Sequence, residues 1–126
     1  MAFIAPDPHA KRGLIVGSGH CMALVQAVAG VPHSARLRRG AKVRDATEVP
    51  IGTIIGTFDA TGRYANATDG SSHVAILLAR QSNGLLVIDQ WVGQRVHERV
   101  LQYRGGQGAA ANDGDQFYIV EAEATA

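Results

Sequence analysis

The chain contains one cysteine, five histidines and eleven acidic residues. Cys21 stands in "GSGHCMALVQAVAG", residues 17–30, between a glycine-rich turn and a run of strong helix formers. A lone cysteine in an apolar helix reads first as a small packing residue. A cysteine in the first turn of a helix reads differently. The unpaired N–H groups and the dipole at that end favour negative charge, and the thiolate is the nucleophilic form. Gly17 and Gly19 permit close approach of backbone to a ligand. The N–H groups of Cys21 and Met22 are candidates to hold an oxyanion.

A thiolate nucleophile requires a base, and the base requires a group to orient it. His9 lies in an irregular lead-in. His20 adjoins the cysteine, so its side chain is expected to diverge from it. His33 follows a helix stop and reads as surface. His97 sits in a polar, alternating stretch and is expected to be solvated. His73 differs, because it opens the apolar run "HVAILLAR" directly after the polar "ATDGSS". A second apolar run, "GLLVIDQW", follows the turn "QSNG" and contains Asp89. A hairpin through Asn-Gly brings Asp89 beside residues 74–77, at the His73 end. An acid within an apolar strand is costly without a partner, and His73 is the obvious one. Taken singly, His73 reads as a strand-end histidine bonded to backbone and Asp89 as a satisfied structural acid. Together with Cys21 they favour catalysis.

The elements that must position these residues read as α+β. Residues 1–12 form a lead-in. Ser18 is the expected cap of a helix starting near Gly19, which Gly30 and Pro32 then stop. Residues 34–50, "SARLRRGAKVRDATEVP", read as basic and irregular, a solvated face. Strands are expected in "GTIIGTF", "HVAILLAR", "GLLVIDQW", "RVHERVLQY" and "QFYIVEA". The loop "RGGQGAAANDGDQ" lies between the last two, and residues 122–126 are expected to fray. The polar loop 59–72, with Tyr64, Asn66 and Asp69, runs into His73 and is the preferred shaper of a cleft. Candidate substrate contacts are Gly19, His20, Tyr64, Asn66, Ser72 and Trp91. Trp91 is two residues past Asp89 and shares its face.

Composition narrows the alternatives. The 126 residues suit a single domain, with 46 % hydrophobic and 18 % charged residues. A net charge of +1 gives no pointer to nucleic acid or an anionic membrane surface. No apolar run approaches a membrane span, and "MAFIAPDPHAKRG" lacks the pattern of a secretory signal. One cysteine supplies neither an internal disulfide nor a CxxC redox pair. The scattered histidines lack zinc-ligand spacing, and "GSGHCM" lacks the phosphate-loop pattern. No metal and no cofactor are called for. "NAT" at 66–68 matches a glycosylation acceptor but reads as loop sequence without a secretory context.

The segments "GSGHCMALVQ", "GTIIGTF", "GRYANATDGSSHVAIL" and "VIDQW" together resemble small papain-like bacterial hydrolases of the CHAP and NlpC type. The likeness covers most of residues 13–121. It is closest to a compact subfamily related to the amidase effectors of type VI secretion. The departures are His20, where glutamine often precedes the cysteine, and the absence of a tryptophan near Leu37. The resemblance implies a nucleophile helix packed on a five- or six-stranded antiparallel sheet. It implies Cys21 as nucleophile, His73 as base and then acid, and Asp89 as orienting group. It also implies a peptidoglycan peptide substrate and an antibacterial role. Delivery without a signal peptide into a target cell's periplasm, and a cognate inhibitor, or immunity, protein in the producer, are implied as well. Two competing readings keep the fold: a catalytically silent cell-wall-binding module, and a thiol acyltransferase.

Overall fold

The computed structural model describes residues 2–122. Of the expected frayed tail, Ala122 is part of a strand and paired with Leu37, and residues 123–126 lie outside the described residues. One helix, α1 (Cys21–Ala29), precedes six strands: β1 (Leu37–Lys42), β2 (Ile54–Gly56), β3 (Val74–Arg80), β4 (Gly84–Trp91), β5 (Gln94–Gln102) and β6 (Tyr118–Ala122). They form one antiparallel sheet in the order β1-β6-β2-β3-β4-β5. The fold is papain-like α+β.

Helix α1 begins two residues later than expected. Its N-cap is His20, whose side chain makes no capping bond, while the Ser18 hydroxyl accepts the His20 N–H at 3.4 Å. The stop is as expected: Gly30 takes φ 68°, and its N–H returns to the Gln26 carbonyl.

Residues 34–50 are not irregular throughout. Leu37–Lys42 is an edge strand in which Leu37 is buried and the rest alternate between half-buried and exposed, and its partner β6 is the last strand among the described residues. A short strand with one wet face and a distant partner carries no continuous apolar signal. The lead-in is also tied down. The Ala5 N–H donates to Gly52 O at 2.8 Å, and the Ile54 N–H to Phe3 O at 2.9 Å.

Two apolar clusters lie on opposite sides of the sheet. Leu24 and Val25 of α1 pack with Ile54, Ile76, Ile88 and Val120. On the other side Ala75, Leu77, Leu85, Val87 and Leu101 pack with Val43 and Phe117. This second side is roofed by 3-10 turns at Val43–Asp45 and Gly114–Gln116. The central strands β3 and β4 are therefore buried on both faces, which is why their sequences read as continuous apolar runs. The hairpin register sets Ile76 opposite Ile88, and a shift between Leu77 and Ala79 changes it beyond that point.

The glycine-rich loop before β6 is ordered around a carboxylate. Asp113 is fully buried, and it accepts the N–H groups of Arg104 and Asp115 on Oδ1 and that of Gly106 on Oδ2, at 2.7–2.9 Å. Asp113→Ala would leave three N–H donors without that acceptor. The expected loss is about 3 kcal/mol of stability by urea denaturation. A loss below about 1 kcal/mol would show that the loop does not depend on it.

Candidate active site

The site lies where the start of α1 meets the start of β3 and the end of β4. Asp89 and Gln90 are adjacent on β4, both fully buried, and act on opposite faces of the sheet. Gln90 Oε1 accepts the Val16 N–H at 3.0 Å, and Nε2 donates to Val16 O and His20 O, each at 2.9 Å. The turn that delivers Cys21 is thus clamped to β4. Gly17 and Gly19 hold φ of 55° and 86° within that turn, where a side chain would be strained.

On the other face His73 sits one residue before β3 rather than within it. Its N–H donates to the Thr57 hydroxyl at 2.9 Å, and Thr57 N–H returns to His73 O at 3.0 Å. The ring Nε2 lies 2.7 Å from Asp89 Oδ2. That leaves Nδ1 for Cys21.

Asp89 collects more partners than His73 alone. Arg99 Nε donates to the same Oδ2 at 2.8 Å. His97, expected to be solvated, instead places Nε2 3.0 Å from Asp89 Oδ1. That contact is close but outside the geometry of a directed hydrogen bond, so it is electrostatic when His97 is protonated. His97 and Arg99 are on β5, where Asp89 faces His97 across the strands. Arg99 is held from behind by Asn112 Oδ1 at 2.9 Å and Ala111 O at 3.3 Å, and its guanidinium lies 4.7 Å over the Trp91 ring. Trp91 also meets the His97 ring edge-on at 5.1 Å.

These contacts set the charges. Burial alone would raise the Cys21 pKa. The hydrogen bond and charge of His73, the Val74 N–H and the Tyr64 hydroxyl together bring it below its usual value. Burial pulls His73 down, but Asp89 and the Cys21 thiolate raise it to about 9. Burial likewise opposes ionisation of Asp89, and the hydrogen bond and charge of His73, with Arg99, hold its pKa below the usual carboxylate value. Tyr64 moves upward through burial and the neighbouring thiolate, so its hydroxyl stays protonated and able to donate to Sγ, 3.6 Å away. The lowered thiol and the raised imidazole both shift Cys21 and His73 toward a thiolate–imidazolium pair. In that ionised form, with Asp89 and Arg99 added, two negative and two positive charges would balance in one cluster.

A cleft of about 490 Å³ opens over this cluster. His20, Tyr64, Asn66, Ser72 and Trp91 line it together with Cys21 and His73, while Gly19 is buried and is not part of the lining. Asn66 adopts φ 53°, a left-handed conformation that asparagine tolerates, and so turns the loop along the cleft edge. The loop 59–72 forms one wall. The opposite wall includes Arg99 and Asn112, and the Ala111 N–H joins the two loops by donating to Gly70 O at 3.0 Å. Cys21 and Met22 precede the first intrahelical bond, from the Ala23 N–H to His20 O at 3.1 Å, so their N–H groups are free of helix partners.

Sequence reasoning missed Gln90, His97 and Arg99. Gln90 was a polar residue within a buried run, a signal of the same kind as Asp89. His97 and Arg99 carried no signal beyond alternation. No group of three or more His, Cys, Asp or Glu that could hold a metal is found among the described residues.

A thiol at a helix N-terminus, facing a histidine and an acid on an antiparallel sheet, is the arrangement of a papain-like thiol hydrolase. Comparison with known proteins gives the family. The family model described as domesticated amidase effector 2 matches residues 2–120. The chain belongs to the domesticated amidase effector 2 family, and so is an amidase-class enzyme. It is 29 % identical to a type VI secretion amidase effector 2 protein of Salmonella typhi over 119 residues, covering 84 % of this chain and 88 % of that one. It is 33 % identical to domesticated amidase effector 2 of Ixodes scapularis over 122 residues, covering 92 % of this chain and 81 % of that one. The solved structure of type 6 secretion amidase effector 2 superposes with a TM-score of 0.81 at 27 % identity, covering 96 % of this chain and 95 % of that one.

The charge arrangement predicts how Cys21 reacts. Iodoacetamide labelling in the wild type persists at pH values well below the ordinary thiol pKa. In Asp89→Asn the His73 pKa falls and the Cys21 pKa rises, so the labelling profile moves to higher pH, by about 1 unit or more. Arg99→Gln weakens the hold on ionised Asp89 and moves the profile in the same direction by less. Identical profiles in all three proteins would mean that Asp89 does not govern the thiol.

Proposed function

We propose that the chain is a cysteine amidohydrolase that cleaves amide bonds in the peptide part of bacterial peptidoglycan. Cys21 is the nucleophile, His73 the acid and then the base, and Asp89 the orienting group. The observation that carries this reading is the 2.7 Å bond from His73 Nε2 to Asp89, which leaves Nδ1 free to serve Cys21. The amidase names of the relatives support the reaction class.

The reaction follows from the ion pair. The Cys21 thiolate attacks the amide carbonyl, forming a C–S bond and an oxyanion. The N–H groups of Cys21 and Met22 hold that oxyanion. His73 gives its proton from Nδ1 to the leaving nitrogen, the C–N bond breaks, and a thioester remains. Neutral His73 then takes a proton from water as the water oxygen attacks the thioester. The carboxylic acid departs, and the thiolate–imidazolium pair is restored. Asp89 keeps the ring oriented and stabilises the imidazolium throughout. Tyr64 donates to the thiolate at rest. His20, Asn66, Ser72 and Trp91 contact the peptide.

The type VI secretion names of two relatives support delivery into the periplasm of a target cell as an antibacterial effector. A producing cell then requires an immunity protein that blocks the cleft. No helix among the described residues is long and apolar enough to cross a membrane.

The test is digestion of purified sacculi, with released peptides identified by mass spectrometry. Wild type is expected to release cleaved peptides, and Cys21→Ala to lose at least about a thousandfold in rate. Expression directed to the periplasm is expected to lyse a susceptible bacterium only with Cys21 intact. Sacculus binding without cleavage would instead favour the silent binding module. A thioester that persists in water would favour the acyltransferase.

A further inference from the structure

A second depression, of about 300 Å³, adjoins the cleft and shares Arg99 and Asn112 with it. Its remaining lining is Val100, Arg104, Gly108 and Ala109. Two arginines and no acidic residue therefore line one small space. Arg99 has an internal counter-charge, since Nε bonds to Asp89. Arg104 does not. Its Nε donates to Asn112 O at 3.1 Å, and among the described residues neither terminal nitrogen has a protein partner.

Arg104 is nevertheless fixed in place. Its own N–H donates to the buried Asp113 at 2.8 Å, and the next two residues are held by the same kind of contact. The Gly105 N–H donates to Asp115 at 2.9 Å, and the Gly106 N–H to Asp113 at 2.7 Å. Asp115 is in turn paired with Arg44 at 2.7 Å. Both buried carboxylates thus accept from backbone donors, and Asp115 from Arg44 as well. A cation presented on a braced loop beside an active site, with no internal partner, suits an anion brought by the substrate. A guanidinium with two free terminal nitrogens matches the two oxygens of a carboxylate.

We infer that Arg104, with Arg99 and Asn112, forms a carboxylate subsite that selects amide substrates carrying a free carboxylate near the scissile bond. This inference rests on the amidohydrolase reading and specifies its substrate. Arg99 joins the two sites. Its Nε bonds Asp89 on the catalytic side, its outer nitrogens donate to Asn112 Oδ1 and Ala111 O, and the residue lines both depressions. A carboxylate seated there lies against the same guanidinium that holds the acid of the His73 pair.

The experiment compares two substrates and does not depend on turnover alone. Sacculi are used as isolated, and after carbodiimide and ammonia have converted their free carboxylates to carboxamides. Wild type is expected to cleave the untreated sacculi at least about tenfold faster. In Arg104→Gln that ratio should shrink to within about twofold, and Arg104→Lys should restore part of it. In parallel, calorimetry on Cys21→Ala measures affinity for a soluble stem peptide released from sacculi and for its amidated copy. Tighter binding of the acid, lost in Cys21→Ala/Arg104→Gln, supports the subsite even if sacculi are not cut. Failure of cleavage alone would then count against the hydrolase reading only. Equal affinity for the two peptides, or no measurable affinity for either, overturns the subsite.

Discussion

The structure depends on one constraint: two neighbouring polar residues, Asp89 and Gln90, must both be satisfied inside a strand with no access to water. Consecutive residues of a strand point to opposite faces. Asp89 therefore reaches His73, Arg99 and His97 on one side, while Gln90 reaches the backbone at Val16 and His20 on the other. Each partner group reduces the cost of burying the residue that holds it. The outcome is geometric as well as energetic. The strand that orients the histidine also fixes the turn that presents the cysteine, so Cys21 and His73 are referred to one rigid piece of backbone.

The charges follow the same logic. A buried thiolate and a buried carboxylate would repel each other unless cations were interleaved. His73 lies between them, and Arg99 shares Asp89 Oδ2 with it. Trp91 and Asn112 hold the guanidinium, and the Asp113-centred loop carries Asn112. Order is passed inward from a glycine-rich segment without regular strands to the thiol itself. This explains why so polar a loop is placed against the buried charged cluster.

Much of this was legible in the chain and some was not. The hairpin of β3 and β4 was readable because both strands are apolar throughout and joined by Asn-Gly. That reading already set Asp89 near His73. The helix and its stop at Gly30 were readable from local propensities, although its start was misplaced. Ser18 has a good capping side chain, but His20 occupies the cap because Gln90 fixes the His20 carbonyl. Strand β1 was missed because its stabilising partner lies some eighty residues away in sequence, and its residues LRRGAK show no apolar run.

The sequence by itself determined what depends on neighbours along the chain: a helix beginning at a glycine turn, two buried strands closing on each other, and an acid that needed a histidine. Those are local preferences and short-range pairings, and composition and spacing encode them directly. Only the tertiary structure decided which far residues would share Asp89, how Gln90 would clamp the turn before Cys21, and that Arg104 would stand beside the cleft without an acidic partner among the described residues. Arginine and histidine on a half-exposed strand look alike to any sequence pattern. Their roles arise from the strand order of the sheet and from the loop packed on β5, which bring together side chains that sequence spacing does not connect.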